Sequence, residues 1–578
     1  MIRQLWRTAM AALVWSGAAA LFAPGHAQAQ NPRTLDIGGP PGDSTAHRCY
    51  TDSTLTAALL AFNGHAAVHV FGGTSVIQPA DTIQGSYGVF AGSLRVDGAI
   101  RGSLIVFNGD VRLTATGRVS GDVTVLGGQL TVDPGGRIDG RSFTCSDPVS
   151  LDRYSDGTLV VRPASHPVMQ LANDLTANVN GVLLSPYLGF GQYNRVEALP
   201  LQMGGNARWN AGGDDTARVQ AYAVIRTARD PSASRPTVGW HARGSWMHPG
   251  PLPFTVGVEG GQTVASTADQ PASPLESGIS ALVLRRDYAD WYVRRGGSLF
   301  ANLHPNPELT VGARYEVARQ TTALAVNALS LLRADETWRP NPLIDDGKYH
   351  IASVTLDWDA ENEMNHPVFT WRAAVTLRRV TSNDLTPVSL PTSIRDAMPI
   401  SDYGETDGDF DLHGSLRLTP DQRLNIRMLG GGHLGGDPLT IQDRLAVGGI
   451  EPLPGYDFRA VNCDRRRKPD PATPALCDRD VAIQLEYRRT LPIDLRTRVG
   501  GYELGIRHPE LVLFTDAGSA WLAGDSTGRV PSNRIQAIRE WKSDVGIGIA
   551  TKWATLLVAR SLADALPVRV VLLFSSHR

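Results

Sequence analysis

Beyond its first thirty residues the chain has no run of eighteen apolar residues, so nothing in it reads as a membrane-crossing helix. An excess of one charge is also missing. Lys+Arg number 55 against 57 Asp+Glu, a net charge of −2, and no basic stripe marks a nucleic-acid partner. No zinc-binding His-Glu pair, phosphate-cradling glycine loop or nucleophile elbow occurs. Gly42-Asp43-Ser44 and Gly524-Asp525-Ser526 read as turns. Asp407-Gly408-Asp409-Phe410-Asp411 lacks the further oxygen ligands that a cation loop needs. The expectation is a non-enzymatic protein with no cofactor and no metal.

Cysteine is scarce as well, at four residues. Residues 1–29 read as a secretory signal: Arg3 and Arg7, an apolar core from Met10 to Phe22, and the cleavage site Ala27-Gln28-Ala29. That signal holds no Cys, so no lipid anchor is expected. Export permits disulfides. Cys463 and Cys477 bracket a short Pro- and Arg-rich stretch and are expected to close a loop. By elimination Cys49 pairs with Cys145 across the N-terminal domain; the alternative is four reduced, buried thiols. Arg465-Arg466-Arg467-Lys468, inside that loop, suits lipopolysaccharide phosphate, a luminal carboxylate or plain solvent.

What is present begins with a repeat. Val70-Phe71-Gly72-Gly73 recurs as Val89-Phe90-Ala91-Gly92, Val106-Phe107-Asn108-Gly109 and Val125-Leu126-Gly127-Gly128. In a second phase Gly98–Gly102, Gly117–Gly121 and Gly136–Gly140 agree. Short β-branched runs with glycine corners predict a parallel β-solenoid over 66–145, after a tail and cap at 30–65. Leu55–Phe62 and the segment around Cys145 are the expected caps, and a β-sandwich is the alternative fold. The spacing resembles the bactofilin-like, polymer-forming solenoids. Residues 146–195, with Pro148, Pro163 and Pro167, read as a connector.

The rest, 196–578, alternates apolar and polar residues in segments of about ten, the signature of a transmembrane β-barrel. Ala217, Val219, Ala221 and Ala223 alternate with Arg218 and Gln220; Phe369, Trp371, Ala373 and Val375 alternate with Thr370, Arg372 and Thr376. Strands are predicted at 197–209, 216–227, 236–247, 253–266, 278–290, 296–304, 308–319, 349–360, 368–380, 406–418, 422–432, 480–490, 510–521, 541–552, 554–561 and 566–574. Sixteen is even, which puts both termini at one end. The tight turns Pro305-Asn306-Pro307 and Thr419-Pro420-Asp421 fall on that end, and the long loops 320–348, 381–405 and 433–479 on the other. The fold class is all-β: a sixteen-stranded antiparallel barrel behind a small parallel solenoid.

Two motifs then stand at matching places. Gly448-Gly449 precede Leu453-Pro454-Gly455-Tyr456 in the loop after the eleventh predicted strand, and Phe514, Asp516 and Gly518 form F-x-D-x-G on the thirteenth. With Val545-Gly546-Ile547-Gly548-Ile549, they make residues 180–578 resemble the BamA/TamA superfamily, the bacterial surface antigens. The resemblance implies an outer-membrane barrel that inserts or translocates client proteins. It also implies a sixth outer loop folded into the lumen, where an Arg pairs with the acidic residue of F-x-D-x-G. Pro454 replaces that Arg here, so Arg459 is the expected partner of Asp516, with Arg465 to Arg467 as alternatives and a hydrated, unpaired Asp516 as the third possibility. The resemblance further implies a seam between first and last strands that opens sideways. Pro200 with Gly204-Gly205 in the first predicted strand, and Pro567 in the last, fit a weakly paired edge; alternatively, both prolines lie just outside the ladder.

Three functional readings follow: insertion or export of client proteins, anchoring of a self-associating or polymer-binding solenoid, and autotransport. In each the protein meets outer-membrane lipid and lipopolysaccharide; the N-terminal domain is expected in the periplasm, except in autotransport, where the barrel carries it out. It is expected to fractionate with outer membranes and to run faster on gels when unheated. Recovery from a soluble fraction without detergent would exclude the barrel.

Overall fold

The computed structural model describes residues 66–574, apart from 72–73, 91–92, 146–148, 154–158, 164–176, 213–214, 229–237, 270–271, 307, 334, 362–367, 392–393, 396–397, 420, 464–472, 500–501, 523–539 and 552–553. The signal, the Leu55–Phe62 cap, Cys49 and the Arg465–Lys468 run lie outside the described residues.

The solenoid forms as the repeat predicts. Val70, Val89, Val106 and Val125 are successive partners in one parallel sheet, and Ile100, Val119 and Ile138 in another. Val89, Val96, Ile100, Leu104, Val106 and Val125 are fully enclosed, each contributing roughly 1.5–3 kcal/mol of burial. A Cβ at Gly117 would lie 2.2 Å from the Val96 carbonyl, so this corner admits only glycine. Ser142–Cys145 adds a fifth strand to the first sheet. The segment around Cys145 is therefore a rung rather than a cap, because its residues still have a ladder to join. Cys145 is buried and disulfide-bonded.

After an antiparallel hairpin, Val149–Arg153 with Leu159–Pro163, the barrel follows. Its strands are β1 (Val182–Phe190), β2 (Pro200–Gly212), β3 (Asp215–Arg226), β4 (Val238–His248), β5 (Phe254–Ser266), β6 (Trp291–Asn306), β7 (Leu309–Thr322) and β8 (Gly347–Ala360). Then come β9 (Phe369–Ser382), β10 (Tyr403–Thr419), β11 (Gln422–Gly436), β12 (Arg479–Thr490), β13 (Glu510–Trp521), β14 (Lys542–Ala550), β15 (Thr555–Ser561) and β16 (Arg569–Leu573). All pair antiparallel in chain order. Leu188, Met203, Val258, Leu299, Val354 and Val570 are exposed on the outer face. Inside, Glu259 meets His241 and Arg314, and Arg427 meets Asp411. An apolar outside and a charged inside make this a transmembrane β-barrel.

Sixteen strands form, but two differ from prediction. Residues 278–290 contain most of a helix, α1 (Pro274–Leu284), not a strand. Ser273 and Glu276 make a reciprocal capping box and Pro274 occupies the first turn, local bonds that no strand would use. The missing strand is β1, taken from the supposed connector. It is turned by Asn180-Gly181, both at positive φ (52° and 83°), from a short strand Ala177–Val179.

With this correction the tightest turns and the longest connections fall at opposite ends, although 491–509, which carries the hairpin Asp494–Val499 with Tyr502–Arg507, is a long connection at the tight-turn end. Connections 213–214, 307–308 and 420–421 are two residues long and share one end, while 267–290, 323–346, 383–402 and 437–478 share the other. The solenoid lies at the tight-turn end, where Asp110 Oδ2 accepts from Arg208 Nη2 at 3.4 Å.

Pro200 belongs to β2, between β1 and β3, not to the seam. Gly204 there answers a packing need: it sits between Tyr187 and Tyr222, whose rings are 4.9 Å apart. A Cβ on it would lie 2.0 Å from the Ala221 carbonyl, whereas one on Gly205 meets nothing closer than 3.5 Å. Gly204→Val is expected to destabilise the barrel by about 1–3 kcal/mol or more and lower the temperature at which the fast-migrating band is lost. Gly205→Val leaves that temperature nearly unchanged. Equal effects would show that Gly204 has no special packing role.

Candidate functional site: the inward loop, the outer cap and the seam

Connection 437–478 folds into the lumen. Gly448 and Gly449 (φ 118° and 124°) begin the inward turn, and a Cβ on Gly448 would lie 2.8 Å from both the Ala460 nitrogen and the Asp457 carbonyl. Antiparallel bridges Val447–Val461 and Leu445–Cys477 fold the loop back on itself, and the Cys463–Cys477 disulfide closes it with Cα atoms 5.0 Å apart. Leu453 and Tyr456 are enclosed with Val447, Cys477 and Ala520.

The tip is held by strands β11 to β14. Arg427 Nη1 reaches Glu451 at 3.4 Å, and Gln484 Nε2 donates to the Pro452 carbonyl at 3.3 Å. The Gly455 N–H donates to Asp544 Oδ2 at 2.5 Å, and the Tyr456 hydroxyl to the Ser543 carbonyl at 3.2 Å. A side chain at Gly455 would collide with Asp544, so glycine is required there. F-x-D-x-G supplies three fits: Phe514 covers Gly546, Asp516 lies opposite Asp544, and Gly518 leaves room for Val447.

The expected Arg459–Asp516 pair does not form. Turns Leu453–Tyr456 and Asp457–Ala460 fold the chain back so that the Arg459 N–H donates to the Gly448 carbonyl at 3.1 Å. Arg459 instead bonds Asp269 at 2.5 Å and Asp290 at 2.8 Å, both in connection 267–290, with its guanidinium 4.6 Å from the Phe458 ring centre. Pro454 and Asp516 do line one cavity, but Asp516 makes no ion pair among the described residues and sits across from Asp544, a second buried carboxylate.

Arg459 is one member of a buried network at the long-loop end. Asp290 also receives Arg195 at 2.7 Å and Arg339 at 2.5 Å, and Arg195 bonds Asn341 at 2.9 Å. A second node joins Asp345 to Arg395 and to the backbone N–H groups of Val388 and Ile441. Five connections, 191–199, 267–290, 323–346, 383–402 and 437–478, are thereby tied into a cap. Burial alone would raise Asp290, but Arg339, Arg459 and Arg195 outweigh it and hold its carboxyl well below the usual range. Burial raises Asp269, which Arg459 offsets only in part. Asp290 therefore supports the cap at any pH above about 4, and that support is lost only in strong acid. The sequence shows no motif for Asp269, Asp290, Arg195 or Asp544, because their neighbours come from separate loops and strands.

At the seam no ladder joins β1 to β16 among the described residues, and the sheet order is linear. Ala177–Val179 pairs with the first residues of β1. The Gly191 N–H donates to the Pro200 carbonyl, so by alternation the amide position of Pro186 faces the free edge, where proline presents no donor. Pro567 precedes β16 and lies outside its ladder. Beneath the loop tip, a cavity of about 450 Å³ has Phe514, Leu557 and Leu573 on its seam side and Arg423, Arg427 and Glu486 among its other walls.

These features define a class: a sixteen-stranded transmembrane barrel with a capped long-loop end, a loop folded inward and, among the described residues, an unzipped seam. No family model and no curated protein matches the chain. Among solved structures it is similar to BamA from Haemophilus ducreyi lacking POTRA domains 1-3, at 10% identity over 74% of this chain and 73% of that one, TM-score 0.39. It is similar to CdiB from Acinetobacter baumannii at 12% identity over 74% of this chain and 64% of that one, less than two thirds, TM-score 0.29. The FrpB iron transporter from Neisseria meningitidis gives 9%, 71%, 67% and 0.29. At these scores the likeness is one of outline.

Arg459→Ala and Asp269→Ala are each expected to lower the barrel's unfolding temperature, with the double variant less harmful than the sum by about 0.5–3 kcal/mol. Arg459→Ala and Asp516→Ala should add independently. Strong coupling between Arg459 and Asp516 would overturn the geometry given above.

Proposed function

We propose that this chain is an outer-membrane protein of the surface-antigen type, with its solenoid in the periplasm, and that it admits client outer-membrane or exported proteins at the β1–β16 seam. The observation that carries the proposal is a pair of free strand edges beside an apolar-walled chamber, in a barrel whose outer mouth is tied shut. A free edge offers N–H and C=O groups to a new strand. The chamber gives such a strand an apolar wall (Phe514, Leu557, Leu573) and a charged one (Arg427, Glu486), which suits an amphipathic β-segment. No catalysis is involved.

One observation favours the anchoring reading. The last solenoid rung leaves Val132 and Phe143 exposed, an apolar end to which a periplasmic partner or a second copy fits. Autotransport is disfavoured, because a five-strand sheet makes a small passenger for so large a barrel.

The test uses cysteines placed in Val182–Phe190 and Arg569–Leu573 of the full chain, bridged by a bis-maleimide in cells depleted of the native protein. Abundance of other outer-membrane proteins should fall with the bridged fraction and stay normal in single-cysteine controls. A bridged barrel that fully sustains those proteins would leave anchoring as the function.

A further inference from the structure

Arg295, Arg319 and Lys348 are successive register partners on β6, β7 and β8. All three are exposed and share the parity of Leu299, Tyr315 and Val354, so they face outward near the loop ends of their strands. Like charges side by side on a sheet repel, and one carboxylate, Asp384, offsets part of that repulsion. Asp384 takes Arg319 at 3.0 Å and the backbone N–H of Lys348. The Arg295 guanidinium and the Lys348 ammonium make no ion pair among the described residues. Arg379, on β9, hydrogen-bonds Thr406 at 3.0 Å on the same face.

Directly beneath this row runs an outward groove of about 630 Å³. Ala301, Ala313 and Ala352 form its floor, with Leu299, Tyr315 and Leu377 as its walls. Cations above a hydrocarbon slot describe the two ends of one amphiphile. Strands lie about 4.8 Å apart, so the outer cations of the row are separated by roughly 10 Å, a span for two phosphates rather than one. Guanidinium pairs suit phosphate oxygens.

We infer that this face binds a bis-phosphorylated glycolipid of the outer leaflet, its phosphates on Arg295, Arg319 and Lys348 and an acyl chain in the Ala301–Ala313–Ala352 groove. The inference rests on the proposed orientation, with the long loops outside. The purified full-length barrel should bind bis-phosphorylated lipopolysaccharide at least tenfold more tightly than dephosphorylated lipopolysaccharide or phosphatidylglycerol. The triple variant Arg295→Gln, Arg319→Gln, Lys348→Gln, and separately Ala313→Phe, should each lose about tenfold while keeping the fast-migrating unheated band.

Wild-type affinity in a folded triple variant would overturn the assignment. So would equal binding of phosphatidylglycerol or of the dephosphorylated glycolipid to the native protein, a comparison that needs no variant. Orientation is read separately, by an impermeant maleimide on intact cells carrying Asp335→Cys, since none of the described cysteines is free. Labelling without lipid binding overturns this inference alone. A folded barrel that stays unlabelled overturns the orientation and, with it, the outer-leaflet lipid.

Discussion

In hydrocarbon an unpaired peptide group has no water to turn to, and that one constraint organises the barrel. Strands β2 to β15 are paired on both sides along the sheet; β16 is paired on one side, and β1 on its second side only through Val182–Leu184. The chain treats its first edge with care. Ala177–Val179 covers the start of β1, and farther along Pro186 withholds a donor from the open side. Edge strands are commonly blunted in this way against unwanted pairing. What remains is a short stretch of β1 facing a five-residue β16, so little ladder energy is available to hold the seam shut. Both faces of β15 and β16 are apolar as well. Leu556, Val570 and Leu572 face out, while Leu557, Val571 and Leu573 pack inward with Val512 and Phe514. Cross-strand packing adds to the β14–β15 and β15–β16 ladders in this corner of the sheet.

The inward loop is anchored harder at its base than at its tip. At the tip the main polar link is one backbone N–H on Asp544, and a hydrogen bond to a charged group contributes about 1.5–3 kcal/mol. At the base Arg459 lies wholly buried between two carboxylates, and removing one member of such a set is costly because the others stay buried without a partner. With Pro454 at the loop tip, which offers no cation to Asp516, the loop is still held. Arg459 is engaged in the cap at the long-loop end, and Asp516 and Asp544 face each other with no guanidinium between them. The loop is thus fastened chiefly to the other outer loops, and only lightly to the wall next to the seam.

Much of this was legible in the sequence where order along the chain sets structure. The solenoid register could be read because Val70, Val89, Val106 and Val125 must stack if glycine corners recur at equal spacing. The Cys463–Cys477 loop closed as its spacing implied. Arg459 could not be placed this way. Which carboxylate a loop arginine meets depends on how several connections fold over one another, and Asp269 and Asp290 carry no signal of that meeting.

The strand count shows how a correct total can hide two errors. Residues 278–290 fit a strand by alternation, though Ser273-Pro274-Leu275-Glu276 is a helix start whose bonds are all local. Residues 182–190 fall in a segment that reads as a connector, with Pro148, Pro163 and Pro167 and no clear period, yet they form β1. One strand too many and one too few preserve parity, so an even total could not expose either. Connection length, applied strand by strand, does expose them. Counting from 197 places the two-residue break at 213–214 on the long-loop end and the longer one at 227–237 on the tight-turn end, opposite to every pair from β6 to β11. Only a strand before Pro200 restores the alternation, and Asn180-Gly181 between apolar flanks marks where its hairpin turns.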